Sequence, residues 1–197
     1  MSSDLYHGAE RDDPKLQTER DAAASLGIPA EVLRVAEPEE MVEGPDGPMA
    51  PEGCATIRYR GRAACELVGR TEHQPGESFT ECPGEELHEP GRVHLDPYGL
   101  VHLCQGITLG NIMKTTLREI CEGYEPEAHP IVGPLLEGGP AELARRYDLG
   151  IEERYADACH LCYEARRTLR EKYPEILGPP NVYGEEAAAN GKEVRNG

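Results

Sequence analysis

Tryptophan is absent from this chain and phenylalanine occurs once among 197 residues. Hydrophobic residues make up 38% and aromatics 5% of the sequence, which leaves a thin core for this length. Positive charge is also scarce. Twenty Lys and Arg stand against 37 Asp and Glu, a formal net charge of −17. Nucleic-acid backbones and anionic membrane surfaces both need basic patches, so neither is expected as a partner. No run approaches the ~18 apolar residues of a transmembrane helix. The opening "MSSDLYHGAERDD" has no basic region and no apolar segment, so it does not read as a signal peptide. The expected location is therefore cytoplasmic, in a reducing environment. An odd number of cysteines, seven, fits metal ligands or bystanders there better than a disulfide framework.

Turn-forming residues are abundant. Twenty-two glycines and 17 prolines make much of the chain loop, and so thin a core calls for something besides burial to close those loops. "DDPKLQTERDAAASLGIP" reads as a helix, with Pro14 at its start and Gly27 and Pro29 at its end. "AEVLRVA" follows as a strand candidate, and residues 38–56 as a loop or edge excursion. Loop, helix and strand make half of a βαβ repeat, which cannot bury its own faces. "IRYRGRAACELVGR" predicts a short strand and a helix, and residues 71–91 a Gly, Pro and Glu-rich loop. "GRVHLDPYGLVHLCQG" is the clearest hairpin, with Asp96, Pro97 and Gly99 at the positions a type I turn prefers. "GITLGNI" reads as a second loop that lacks the Lys-Ser/Thr pair of a phosphate loop. Leu117, Ile120 and Cys121 have helical spacing behind capping threonines. "HPIVGPLLEGG" reads as loop, and Pro140 as the first turn of a helix. A last helix is expected from about Glu152 to Tyr173, with Leu161, Ala165 and Leu169 on one face, and residues 180–197 as a disordered tail.

Chemistry is concentrated in cysteine. Cys159 and Cys162 form a CxxC. A thioredoxin dithiol needs a preceding strand in a βαβ unit, whereas "GIEERYADA" is polar and reads as helical. A c-type haem site needs His where Tyr163 stands. Three apart on a helix, the two thiols face the same way and offer half of a tetrahedral or cubane site. Cys104 ends the return strand of the hairpin, and Cys82 precedes the hairpin and is followed by Pro83. Cys82, Cys104, Cys159 and Cys162 are thus four candidate ligands, and a metal joining them would close the long loop from Cys104 to Cys159. Cys121 and Cys65 read as packed core residues, and Cys54 as a loop cysteine and stray ligand candidate. Asp4 and His7 would face a substrate if "SSDLYHG" ends a strand at a barrel mouth, and otherwise cap or line a loop. His94 and His102 read as solvated strand-face histidines, and His160 as pointing away from the metal side.

The spacing Cys-x16-Gly-x4-Cys followed by a distant CxxC resembles the auxiliary-cluster domain of radical S-adenosylmethionine (SAM) enzymes, the SPASM domain and its shorter twitch relative. "RVHLDPYGLVHLCQGITLGNI", "HPIVGPLLEGGPAELARRY" and "YADACHLCYEARRTLREKYP" are similar to the C-terminal half of such proteins, and "SSDLYHG" to the end of a late strand in their partial barrel. The resemblance spans residues 58–184 and, more loosely, 1–37. It implies a mixed α+β and α/β chain. Residues 1–75 would be a remnant of a (β/α) partial barrel, 76–178 a hairpin-plus-helix iron–sulfur domain, and 179–197 a tail. It implies one 4Fe–4S cluster on Cys82, Cys104, Cys159 and Cys162.

Two features depart from the pattern: the first gap is longer than usual, and the further downstream cysteines of a full SPASM domain are absent, which favours the twitch type. The CxxxCxxC motif that opens one iron to SAM does not occur anywhere in the chain. SAM would therefore bind only in a complete parent enzyme, with an N-terminal half or separate subunit as partner. The alternatives are a zinc-stabilised four-cysteine binding module without redox chemistry and a metal-free fragment with reduced thiols.

Overall fold

The structure, a computed structural model, describes residues 14–44, 47–150 and 152–184. The chain divides into two compact units, Met1–Arg58 and Tyr59–Gly197. The described residues form three small sheets, two of two strands and one of three, and no closed barrel. No helix among them is long and apolar enough to cross a membrane.

In the first unit, helix α1 spans Pro14–Ser25 and buries Leu16. The expected strand after it shrinks to a bridge. Val35 pairs with Ala55, and two backbone bonds, Ala36 N–H to Ala55 O at 3.0 Å and Ala55 N–H to Arg34 O at 2.7 Å, hold the pair. Within residues 38–56, a short hairpin forms from β1 (Val42–Gly44) and β2 (Gly47–Met49), with Val42 opposite Met49.

The second unit opens with a short helix, α2 (Arg62–Glu66), with no strand before it. Strand β3 (Gln74–Pro75) pairs antiparallel with β7 (Arg154–Tyr155). Between them lies an antiparallel sheet of β4 (His94–Leu95), β5 (Leu100–Cys104) and β6 (Ile107–Asn111), with β5 in the middle. The hairpin turn forms as the sequence predicts. Gly99 N–H donates to Asp96 O at 3.0 Å, and the Asp96 carboxylate accepts from Tyr98 N–H and Leu100 N–H at 2.8 and 2.9 Å. "GITLGNI" is not a loop. Ile107 and Thr108 bond to Leu177 and Ile176, so β6 is held on its outer side as well.

Helix α3 (Leu117–Glu122) starts at a capping box, in which Thr116 and Glu119 each satisfy the other's backbone N–H. Helix α4 covers Val132–Arg146, and so takes in the segment expected to be loop. Pro134 lies in its first turn, where no intrahelical N–H is needed. Gly138 and Gly139 break it into two helical pieces, the second starting at Pro140. Helix α5 (Ala158–Leu169) is shorter than expected because Asp157 caps it, accepting from His160 N–H at 2.7 Å. The residues before it are extended rather than helical.

Leu161, Ala165 and Leu169 are all buried, as their spacing requires. Leu143 and Ala144 of α4, Leu103 and Ile107 of the sheet, and Tyr155 join them in the core. Residues 180–183 do not belong to a disordered tail. They form a 3-10 turn whose Tyr183 is 3% exposed, and residues 185–197 lie outside the described part of the chain.

Candidate metal centre

Three of the four expected ligands converge on one side of the core. Cys162 belongs to the main hydrophobic cluster, and Cys82 and Cys104 pack against it. Each arrives by a different route. Cys82 follows a loop pinned to α4 by Ala141 N–H donating to Phe79 O at 3.1 Å. Cys104 ends the central strand. Cys159 and Cys162 stand on the first turns of α5. Burial pushes the Cys162 thiol up to about 11. Arg166 opposes that shift, and Cys104 and Cys82 add to it, which sets all three within electrostatic reach.

The sequence reading missed two arginines. Arg60 Nη1 donates to Cys104 Sγ at 2.8 Å. Arg166 is 1% exposed. It donates to Gln105 O at 2.8 Å, Cys162 O at 3.2 Å and Tyr183 Oη at 3.4 Å. Burial works against its charge, yet Tyr183, Cys162, Cys104 and Cys159 together hold its pKa above the ordinary guanidinium value. Burial also raises the Tyr183 phenol to about 12. At neutral pH that phenol and the Cys162 thiol are therefore uncharged. Among the described residues, no carboxylate pairs with Arg166, so a buried cation faces a set of sulfurs. A spacing signal for Arg166 did exist, since it lies one turn beyond Cys162 on the same helix face. Nothing in the sequence marks Arg60.

Among the described residues, no three His, Cys, Asp or Glu side chains sit as the ligand set of one metal ion. A zinc ion would need its thiolates about 3.8 Å apart, from Zn–S bonds of ~2.3 Å in a tetrahedron. A four-iron cluster gives each thiolate its own iron and spaces the sulfurs more widely. Cys104, Cys159 and Cys162 lie within electrostatic reach of Arg166, and thiols beside a guanidinium are the type of donor that such a group takes.

The other cysteines differ from expectation. Cys121 and Cys65 are exposed rather than packed. Helix α3 is short and buries only Ile120, so Cys121 stays outside. Cys54 belongs to the first unit, where Arg34 Nη1 donates to its sulfur at 2.7 Å. Asp4 and His7 lie outside the described residues.

His94 is exposed as expected, but His102 is 5% exposed and not solvated. Its Nε2 meets Asp96 Oδ2 at 3.2 Å and its Nδ1 meets Thr108 Oγ1 at 3.4 Å. His160 accepts from Ala156 N–H through Nδ1 and lies against Tyr155 and His73, with ring centroids 5.1 and 6.0 Å away.

Burial alone would raise the Asp96 carboxyl, but the bonds from Leu100, His102 and Tyr98 outweigh it and hold the group below the ordinary carboxylate value. The folded pKa is thus depressed. The stability it contributes is present above the unfolded value of ~4 and is lost as pH falls through the folded one. Urea titrations at pH 6 and pH 3 check this. Wild type should lose more stability between them than Asp96→Asn, and equal losses would remove the role given to Asp96.

No protein-family model matches the chain, and no curated protein and no solved structure matches it either.

Proposed function

We propose that the second unit is the auxiliary iron–sulfur portion of a radical SAM enzyme and holds one 4Fe–4S cluster through Cys82, Cys104, Cys159 and Cys162. The observation that carries this reading is Arg166, a buried guanidinium set beside Cys104, Cys159 and Cys162 without a carboxylate partner among the described residues. A buried cation without an anion is costly. Metal binding deprotonates thiols and supplies the missing negative charge in place. When bound, the cluster would carry single electrons or tie the loops together. Arg166 would neutralise it from the α5 side and Arg60 from the hairpin side. The SAM-cleaving cluster would be held by a longer polypeptide or a separate subunit, because the 197 residues contain no CxxxCxxC. A reducing cytoplasm suits such a centre.

Anaerobic reconstitution with iron and sulfide tests the proposal. A brown protein with broad visible absorbance and about four irons per chain is expected. A colourless protein holding one zinc would replace it with the zinc-stabilised module. A chain that takes up neither metal would leave only the metal-free alternative.

A further inference from the structure

A cavity of about 340 Å³ opens on the hairpin side of the second unit. This is the small end of the range for ligand pockets. Leu95, Pro97 and Val182 give it apolar wall, and Arg60, Asp96, His102 and Gln105 give it polar groups. Arg60 is the residue with capacity to spare. Its Nη1 is taken by the Cys104 sulfur at 2.8 Å, with Glu85 at 3.9 Å. Among the described residues, no acceptor bonds its Nε or Nη2. A guanidinium keeps its charge across the ordinary pH range and presents a planar fork that matches a carboxylate.

The negative groups nearby are already engaged. Asp96 accepts from Tyr98, Leu100 and His102, and Glu85 is paired with Arg92 at 3.1 Å. Hydrogen bonding leaves the Asp96 charge in place, so the attraction for an anion has to come from the unshared donors of Arg60. A phosphate would ask for more cationic donors than one fork, and would leave the apolar wall uncovered.

We infer that this cavity binds a small organic carboxylate with an apolar body, and that Arg60 holds the carboxylate while its Nη1 holds the Cys104 sulfur. The inference goes beyond the iron–sulfur reading and does not depend on it, because it needs only the cavity and Arg60.

The probe is 3-phenylpropionate, titrated calorimetrically into the full chain both as purified and after reconstitution, with iron measured on each sample. Saturable binding is expected in both. The uncharged 3-phenylpropionamide should bind about tenfold or more weakly, the worth of a charged hydrogen bond. Arg60→Gln, checked for folding by circular dichroism, should weaken the acid by a similar factor and leave the amide unchanged. Equal binding of acid and amide, an unchanged affinity in Arg60→Gln, or no binding of the acid up to ~10 mM would overturn the inference. Tighter binding of inorganic phosphate than of the acid would do the same. The acid–amide comparison uses the unaltered chain, so it stands even if the variant fails to fold. The iron assay separates a failure here from a failure of the cluster.

Discussion

Alanine in place of Cys104 or Cys162 is expected to bring reconstituted iron down to background, the largest effect anticipated for any single substitution in this chain. Cys104 is fixed from three directions: the central strand before it, the turn after it and the guanidinium of Arg60 on its sulfur. Cys162 is buried in the core cluster, so a water molecule cannot easily take its place. The effect is all-or-none because ligand binding and loop closure are one equilibrium, and removing a thiolate weakens both. Cys121→Ala and Cys65→Ala provide the contrast. Both residues are exposed, and both variants should keep full iron. The measurement is iron and sulfide per chain with the visible spectrum. Full iron in Cys162→Ala would remove it from the ligand set.

Gly139→Ala is expected to have the second largest effect. Gly139 sits at the joint of α4 with φ 65° and ψ −160°, a region that side chains other than hydrogen rarely enter. A β-carbon there would lie 2.3 Å from Glu81 N and from Thr80 C, both backbone atoms that cannot swing aside. Strain and clash together should cost about 3 kcal/mol or more. The displaced residues immediately precede Cys82, so the variant should also lose iron, although it alters no ligand. Gly184→Ala is the control. Its φ is 76° but nothing lies within 4 Å of the added carbon, so the cost should stay near 1 kcal/mol. Urea denaturation and iron content check both. Equal stability of the two variants would show that the joint can relax.

Turn and cap chemistry could be read in the sequence because it is local. Asp96-Pro97-Tyr98-Gly99 and Thr116 with Glu119 act within four residues, and both act as expected. The stripe of Leu161, Ala165 and Leu169 could be read because α5 packs on one face. The failures arise where long-range partners decide. Strand β6 is pinned by residues 176 and 177, which no local pattern reveals. Simple alternation along a strand would leave His102 solvated. Yet Val101, His102 and Leu103 are all buried in the middle strand, so the alternation is lost. Proline and glycine in residues 129–139 point locally to a loop. Pro134, however, falls in the first turn of α4, and the glycine pair serves as a hinge between two helical pieces. At the candidate metal centre, spacing singles out the four thiols, whereas of the two arginines near them Arg166 has helical spacing and Arg60 has no signal.

The 3-10 turn at residues 180–183 bears on how this protein should be shortened for study. Tyr183 donates to Gly106 O at 2.8 Å, stacks on Tyr163 at 5.6 Å and lies under the Arg166 guanidinium. A truncation ending at residue 178, where the spacing of the motifs would draw a domain boundary, removes this plug. Water would then reach Arg166 and the thiols beside it. A shortened chain that fails to take up iron would therefore report an unsealed core rather than a wrong set of cysteines, and any minimal fragment has to run through Tyr183.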